Sequence, residues 1–408
     1  MLQYFRKHLP DRNLWVIYRT MLVLSTAYGI ALAVLPLLLE RRALPHETVG
    51  ELASWFAFGL VLCAVPSGWI IRHFTARATF IVSILGYAAM IALLPLCHTY
   101  RALAIDRFVD GIFSMGVWVS AETLLLWRST RQNKALATSL SATFTMFGYV
   151  LGPLISLASS GNWSPEHRLY LAGAVAAIAA LMAASRLAPD PDPEHRRRAH
   201  GHPDPHEPHV VIRPYPELAW RIKTSCAATF ASGFFQSSAA LFIPRFLVHE
   251  KQVPEEYASL VIAFAAGGML LISNFAARAG DRFGHLFVMR LLAVTGILGM
   301  LAFLPLSSFP VMAAVFVVAG GAISSMPPLS LALQGVISTP AEYPRSNAIF
   351  NVFFATGLVV GPLVTGHVFA RHGGPAIVVL FAGVWAAFAA FSLVFRNDDP
   401  RKTPQTAH

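Results

Sequence analysis

The sequence predicts an all-α membrane protein: twelve transmembrane helices in two six-helix, pseudo-symmetric halves. Three observations carry this expectation. The 408 residues are 55% hydrophobic and only 13% charged, with a mean hydropathy of +0.57. A soluble protein carries about 25% charged residues, so too few charges exist to coat the domains that such a length would otherwise form. Twelve apolar stretches of about 20 residues succeed one another, each bounded by charges, turns or proline. The last six repeat landmarks of the first six at a constant offset of 209 residues.

Taken in order, the spans cover residues 14–39, 49–71, 77–97, 103–127, 135–159, 168–186, 222–248, 257–280, 285–306, 310–334, 347–369 and 376–395. Each should be a helix, because a backbone exposed to lipid must satisfy its own hydrogen bonds. The polar start, with Arg6, Lys7 and Arg12, resembles the charged region of a signal peptide. The first span is too long for one and lacks a small-residue cleavage site, so it is expected to be retained. Residues 187–221 break the rhythm with prolines, the triplet Arg196 to Arg198 and the histidines His195, His200, His202, His206 and His209. That composition cannot bury a core and reads as a cytoplasmic linker between an N-terminal half, 1–186, and a C-terminal half, 222–408, which ends in a short cytoplasmic tail. Imidazoles suit transition metals, but the spacing is irregular, and no metal site or cofactor is expected.

The repeat is carried by Phe74 with Phe283, by Gly111 with Gly320, and by Gly148, Val150, Gly152, Pro153 and Leu154 with Gly357, Val359, Gly361, Pro362 and Leu363. A tandem repeat across a membrane is the trace of an alternating-access transporter. Orientation is read from the cations. With cations near a span end assigned to the adjoining loop or terminus, 23 of the 31 Lys and Arg residues belong to the N-terminus, the even-numbered loops or the C-terminus and 7 to the odd-numbered loops, while Arg107 is kept as a residue of its span. By the positive-inside rule both termini are cytoplasmic. The net charge of +10 therefore reflects topology and not nucleic-acid binding, and Cys63, Cys97 and Cys226 sit in apolar stretches, which argues against a disulfide framework.

Twelve spans, the repeat, the long middle loop and three local motifs together resemble the major facilitator superfamily, over essentially the whole chain. The first motif is the family's loop G-x-x-x-D-R-x-G-R between spans two and three, echoed between spans eight and nine. The echo is close here, with Asp281, Arg282 and Gly284 in place. The first copy is degraded: Arg72 stands where the family has aspartate, Thr75 where it has glycine, with Arg77 two residues later. The resemblance implies that the aspartate holds an inner gate. An anion is favourable and a cation unfavourable at a helix N-terminus, by about 0.3–1 kcal/mol, which would move the latch to Asp281. Both segments also read simply as basic topology loops.

The second motif is R-x-x-x-G in span four, here Arg107 to Gly111. Arg107 and Asp110 are three apart and share a helical face with Asp106. An arginine inside a span costs about 2.5–3.5 kcal/mol even on a lenient scale, so it must face protein or water. The triad Asp106, Arg107 and Asp110 carries one net negative charge when ionised, which lets a carboxylate gain and lose a proton beside a fixed cation. Glu122, further along the span, is either a second proton station or the partner of Arg128 or Arg131. The third motif pairs Gly148, Gly152 and Pro153 in span five with Gly357, Gly361 and Pro362 in span eleven. Small residues four apart admit close helix approach and proline bends the helix. In the family a fuller form of the span-five motif marks many exporters, including drug-efflux branches.

The family's architecture places spans one, four, seven and ten around a central cavity. Their polar and aromatic candidates are Thr26 and Tyr28, Ser114 and Trp118, Phe234, Phe235 and Gln236, and Ser325 and Gln334, with a break at Pro327-Pro328 in span ten. Such a lining suits an apolar or amphipathic solute. No P-loop, nucleophile elbow or zinc signature is present in the sequence, so the expectation is a transporter driven by a gradient and not an enzyme. It would export a small molecule in exchange for protons, as a monomer in a bacterial inner membrane, with no nucleic-acid partner. Uptake of a nutrient, metabolite or metal complex is the alternative direction, and a non-transporting sensor or scaffold the alternative class.

Overall fold

The computed structural model describes residues 11–42, 44–128, 134–190, 213–338 and 342–399, and no strand occurs among them. Among the described residues, twelve helical stretches are long and apolar enough to cross a membrane. Spans one to six are the helices Arg12–Arg41, His46–Phe74, Ala76–Leu93, Tyr100–Arg128, Lys134–Ala158 and Pro165–Arg186. Spans seven to nine are Lys223–His249, Val261–Phe283 and His285–Phe303. Span ten is two helices, Phe309–Ser324 and Met326–Ile337, which meet at Ser325 just before Pro327 and Pro328. Eleven and twelve are Tyr343–His372 and Gly374–Val394. A short helix, Tyr215–Arg221, lies at the end of the linker.

The chain divides into two compact units. One takes spans three to six with most of one and two; the other takes spans seven to twelve together with Leu39–Ser54. Phe275, Leu298, Leu181 and Val394 stand on the surface, as expected where lipid and not water is the neighbour. Spans one and seven differ from the rest in being buried around most of their circumference.

The two units are assembled by the same contacts, and glycines set the distances. In the first, span five crosses span one so closely that a Cβ on Gly152 would lie 2.5 Å from the Gly29 Cα. In the second, span eleven crosses span seven, and a Cβ on Gly361 would lie 2.5 Å from the Phe234 carbonyl oxygen. Gly59 of span two backs onto the Phe108 carbonyl and Gly111 of span four onto the Phe56 carbonyl; Gly268 of span eight backs onto the Val317 carbonyl in the same manner. No side chain fits at these crossings.

Helix ends are matched as well. Asp190, just past span six, accepts hydrogen bonds from the backbone N–H groups of Ala76 (2.7 Å) and Arg77 (3.0 Å), capping span three. Asp399, just past span twelve, accepts from the Leu286 N–H (3.1 Å), capping span nine. Each carboxylate sits where the unpaired N–H groups and the helix dipole favour an anion. Cations answer at the opposite ends: Arg77 donates to the Ala184 carbonyl at 2.7 Å, and Arg290 donates to the Ser392 carbonyl and, at 3.0 Å, to its hydroxyl.

The residue before each cap shows what the degraded loop motif costs. Gly284 has φ +97° and Thr75 has φ +72° with ψ 149°. That region is open to glycine and strained by about 1–3 kcal/mol for other residues. Thr75 recovers part of the strain by accepting the Ala78 N–H at 3.3 Å. Thr75→Gly should therefore stabilise the protein by about 1 kcal/mol, since a glycine cap costs only a few tenths. Thermal unfolding in detergent checks this, and a lower midpoint would refute it.

Candidate functional site

The first unit holds a buried charge cluster on span four. Asp110 and Arg107 occupy one helical face and form an ion pair between the Arg107 Nη1 and the Asp110 Oδ2. The other carboxylate oxygen, Oδ1, accepts from the Ser114 hydroxyl one turn later at 3.3 Å, and Ser114 in turn accepts from the Tyr28 hydroxyl of span one at 2.8 Å. The Arg107 guanidinium lies 4.4 Å from the centre of the Phe56 ring of span two, a cation–π contact strengthened by exclusion of water. Tyr28 stacks on Tyr87 of span three at 4.0 Å, with Tyr149 of span five 6.4 Å away. Asp110 is 1% exposed, Arg107 7% and Asp106 5%. Four helices thus close over one acid–base pair.

Two features leave the cluster room to react. The Asp106 Oδ2 is buried without a protein donor, and so is the Tyr87 hydroxyl. A cavity of about 30 Å³ lies beside Tyr87 and the ion pair, lined by Tyr28, Phe56, Tyr87, Arg107 and Asp110 among apolar side chains. A water needs about 10–15 Å³ by this measure, so one or two fit.

The remaining sequence candidates fall elsewhere. Thr26 donates to its own helix, to the Leu22 carbonyl at 2.9 Å. Trp118 is half-buried. Glu122 is exposed on span four, and Arg128 pairs with Asp11 at 3.7 Å and with the Ala188 and Pro189 carbonyls. The expected pairing of Glu122 with Arg128 is therefore not made; Arg131 lies outside the described residues. In the second unit Phe235 meets Phe381 of span twelve edge-on at 5.3 Å. Phe234 is buried against the backbone of span eleven at Gly361, and Gln236 is exposed. Ser325 donates to the Gly321 carbonyl within span ten, and the Gln334 amide donates to Ser346 at 3.0 Å.

Of the loop residues, Arg77 and Gly284 belong to the helix-end contacts described above. Arg72 has its backbone in the last turn of span two, the C-terminal end, where a cation complements the dipole; its side chain lies outside the described residues. Asp281 is largely exposed, with the His285 ring nitrogen 3.7 Å away, and Arg282 lies over the Phe283 ring. The linker histidines from His195 to His209 lie outside the described residues.

A second buried cation escaped the sequence reading. Arg245, near the end of span seven and grouped by the sequence with the adjoining loop, has its side chain 2% exposed inside the span. Its Nε donates to Glu40 at 2.9 Å, the His249 Nε2 meets the other Glu40 oxygen at 2.6 Å, and the His46 Nδ1 stands 3.4 Å from the guanidinium. All four belong to the second unit, where Leu39–Ser54 is also held by the Ser54 hydroxyl on the Val359 carbonyl (2.9 Å) and by Gly50 against Pro362. The available signal was an arginine directly after Pro244 in an apolar run. Removing one partner of a buried pair is costlier than removing both. Arg245→Met should destabilise by up to about 3 kcal/mol, and adding Glu40→Gln should restore much of the loss. Equal unfolding midpoints for the single and double variants would show that the pair does not stabilise this segment.

The comparisons with known proteins agree with the geometry. The family model described as Major Facilitator Superfamily matches residues 20–224 and again 225–408. A protein of Yersinia pestis (strain Pestoides F), described as an uncharacterized MFS-type transporter, is 23% identical over 390 residues, covering 95% of this chain and 96% of that one. One of Enterobacter sp. (strain 638), described in the same words, is 22% identical over 385 residues, covering 94% and 95%. Among solved structures, the nucleoside transporter NupG superposes with a TM-score of 0.75 at 15% identity, over 94% of this chain and 99% of that one. A bacterial homologue of the human lysosomal transporter Spinster, in an inward-facing and occupied conformation, superposes with a TM-score of 0.71 at 15% identity, over 96% and 98%. Twelve spans in two repeats, matched by one family model once in each half, place this chain in the major facilitator superfamily of membrane transporters.

Proposed function

We propose that the chain is a secondary active transporter that exports a small apolar or amphipathic molecule in exchange for protons, with Asp110 as the proton carrier and Arg107 as its fixed counter-ion. The observation that carries this reading is the enclosure of Asp110 and Arg107 inside span four, with a third charge, Asp106, beside them. A purely structural pair would be complete with one carboxylate. Here a second carboxylate, Asp106, is buried next to the pair with one oxygen lacking a protein donor, and intramembrane ionisable groups of this kind mark ion pathways. The export direction is supported by the Gly148, Gly152 and Pro153 motif of span five, and the solute class by the aromatic and apolar candidates on spans one, four, seven and ten. In this reading Asp281 serves the inner gate in place of the aspartate that Arg72 replaces.

The test begins with the solute. Small molecules retained by cells with and without the protein are compared in the presence and absence of an uncoupler, which names the substrate and the direction; gradient-driven accumulation inside cells would reverse the export reading. Asp110→Asn holds the position neutral. At matched amounts of folded protein it should reduce gradient-driven accumulation in vesicles to background while counterflow exchange survives, because exchange needs no net proton cycle. Normal gradient-driven flux through Asp110→Asn would remove Asp110 as carrier. Topology is tested separately: a reporter fused after His408 should be cytoplasmic, as the distribution of cations requires, and a periplasmic signal would overturn that orientation.

A further inference from the structure

We infer that Tyr28 is a positioning residue of the coupling site, acting through Ser114 to keep the Asp110 carboxylate supplied with a donor; this rests on the reading of Asp110 as the proton carrier. A serine in a helix ordinarily spends its single proton on the carbonyl four residues back. In this protein Thr26, Ser120, Thr123, Ser232, Ser325 and Thr356 all do so. Ser114 is different: its hydroxyl donates to the side chain four residues back, the Asp110 Oδ1. What distinguishes it is that its oxygen accepts from the Tyr28 hydroxyl at 2.8 Å. The two bonds form one directed chain, from Tyr28 to Ser114 to Asp110, and successive hydrogen bonds of the same direction polarise one another.

The direction matters because it selects one form of the carboxyl group. With Oδ2 paired to Arg107 and Oδ1 accepting from Ser114, both oxygens of Asp110 act as acceptors, which is the state of the ionised group. A proton arriving on Oδ1 would have to reverse Ser114, and Ser114 resists reversal while Tyr28 points its own proton at it. Tyr28 is held for this task by its stack on Tyr87 at 4.0 Å. The ionisable groups facing Asp110 are Arg107 and Asp106 from span four, Tyr28 from span one and Tyr87 from span three, with Tyr149 of span five behind Tyr28. Of these, Tyr28 alone is joined to Asp110 through a hydroxyl chain among the described residues.

The test needs no substrate. Full-length protein in proteoliposomes is titrated while infrared difference spectra follow the C=O stretch of protonated carboxyl groups; the band lost in Asp110→Asn is that of Asp110. In Tyr28→Phe, which keeps the ring and its stack, the Asp110 band should persist to higher pH by about half a unit to one unit. Ser114→Ala should do the same, Ser114→Thr should retain the wild-type midpoint, and Tyr28→Phe should add nothing in the Ser114→Ala background. A band that titrates identically in wild type and Tyr28→Phe, or additive shifts in the double variant, would overturn the relay while leaving Asp110 as carrier. If no band disappears in Asp110→Asn, the relay falls together with the carrier reading.

Discussion

An arginine inside a membrane-spanning helix cannot be left to itself, and the first unit is organised around that constraint. Arg107 is placed within span four, where an unpaired cation costs several kcal/mol by any scale. Asp110 answers it from the same helix, and Phe56 covers it from span two. Phe56 can come so near because Gly111, directly after Asp110, lets its own backbone lie against the Phe56 carbonyl, while Gly59 does the same against Phe108. The charge and the small residue beside it are therefore parts of one device, the first needing cover and the second admitting it. Span one completes the enclosure through Tyr28, and span three through Tyr87.

The same constraint is met a second time and in a different way. Arg245 finds its carboxylate far along the chain, in Glu40, and shares it with His249. Comparing the halves at the repeat offset shows how function separates from scaffold. The glycines of the crossings and the aspartates that cap spans three and nine recur at their equivalent positions. The charges do not: Arg107, Asp110 and Ser114 correspond to Phe316, Ala319 and Ile323, and Arg245 corresponds to Pro36. Close helix crossing makes the same demand in both halves, since only a missing Cβ allows it. A buried charge makes no demand that its copy be charged as well, so each half carries its ionic chemistry independently.

At the helix ends the cost of departing from the glycine pattern is visible. Gly284 and Thr75 occupy the same place in the two repeats and both take positive φ, but only the first does so without strain. Thr75 is kept there by the anchored first turn of span three: Asp190 fixes two successive N–H groups, and Arg77 reaches the Ala184 carbonyl in the last turn of span six. The beginning of the linker is thus part of the first unit, although its composition alone gives no reason to expect order. At its other end Arg213 reaches Glu342 at 3.3 Å, so the linker is anchored on either side of the residues outside the described structure.

Much of this was legible in the sequence. Span number, the repeat and the helical nature of every element follow from hydropathy and from the need of a lipid-exposed backbone to bond with itself. The face shared by Asp106, Arg107 and Asp110 follows from helical periodicity, because residues three and four apart on one helix are neighbours whatever the tertiary fold. The break in span ten was marked by its two prolines. Contacts between distant segments were not legible in the chain order: Tyr28 with Ser114, 86 residues apart, and Arg245 with Glu40, 205 apart. For Glu122, local reasoning offered a proton-station role or a pairing with Arg128 or Arg131; Arg128 meets Asp11 and the linker carbonyls instead. Periodicity decides which side chains leave a helix together. Which helix arrives to meet them is decided by close packing of the whole unit, and that is set by the small residues at every crossing at once.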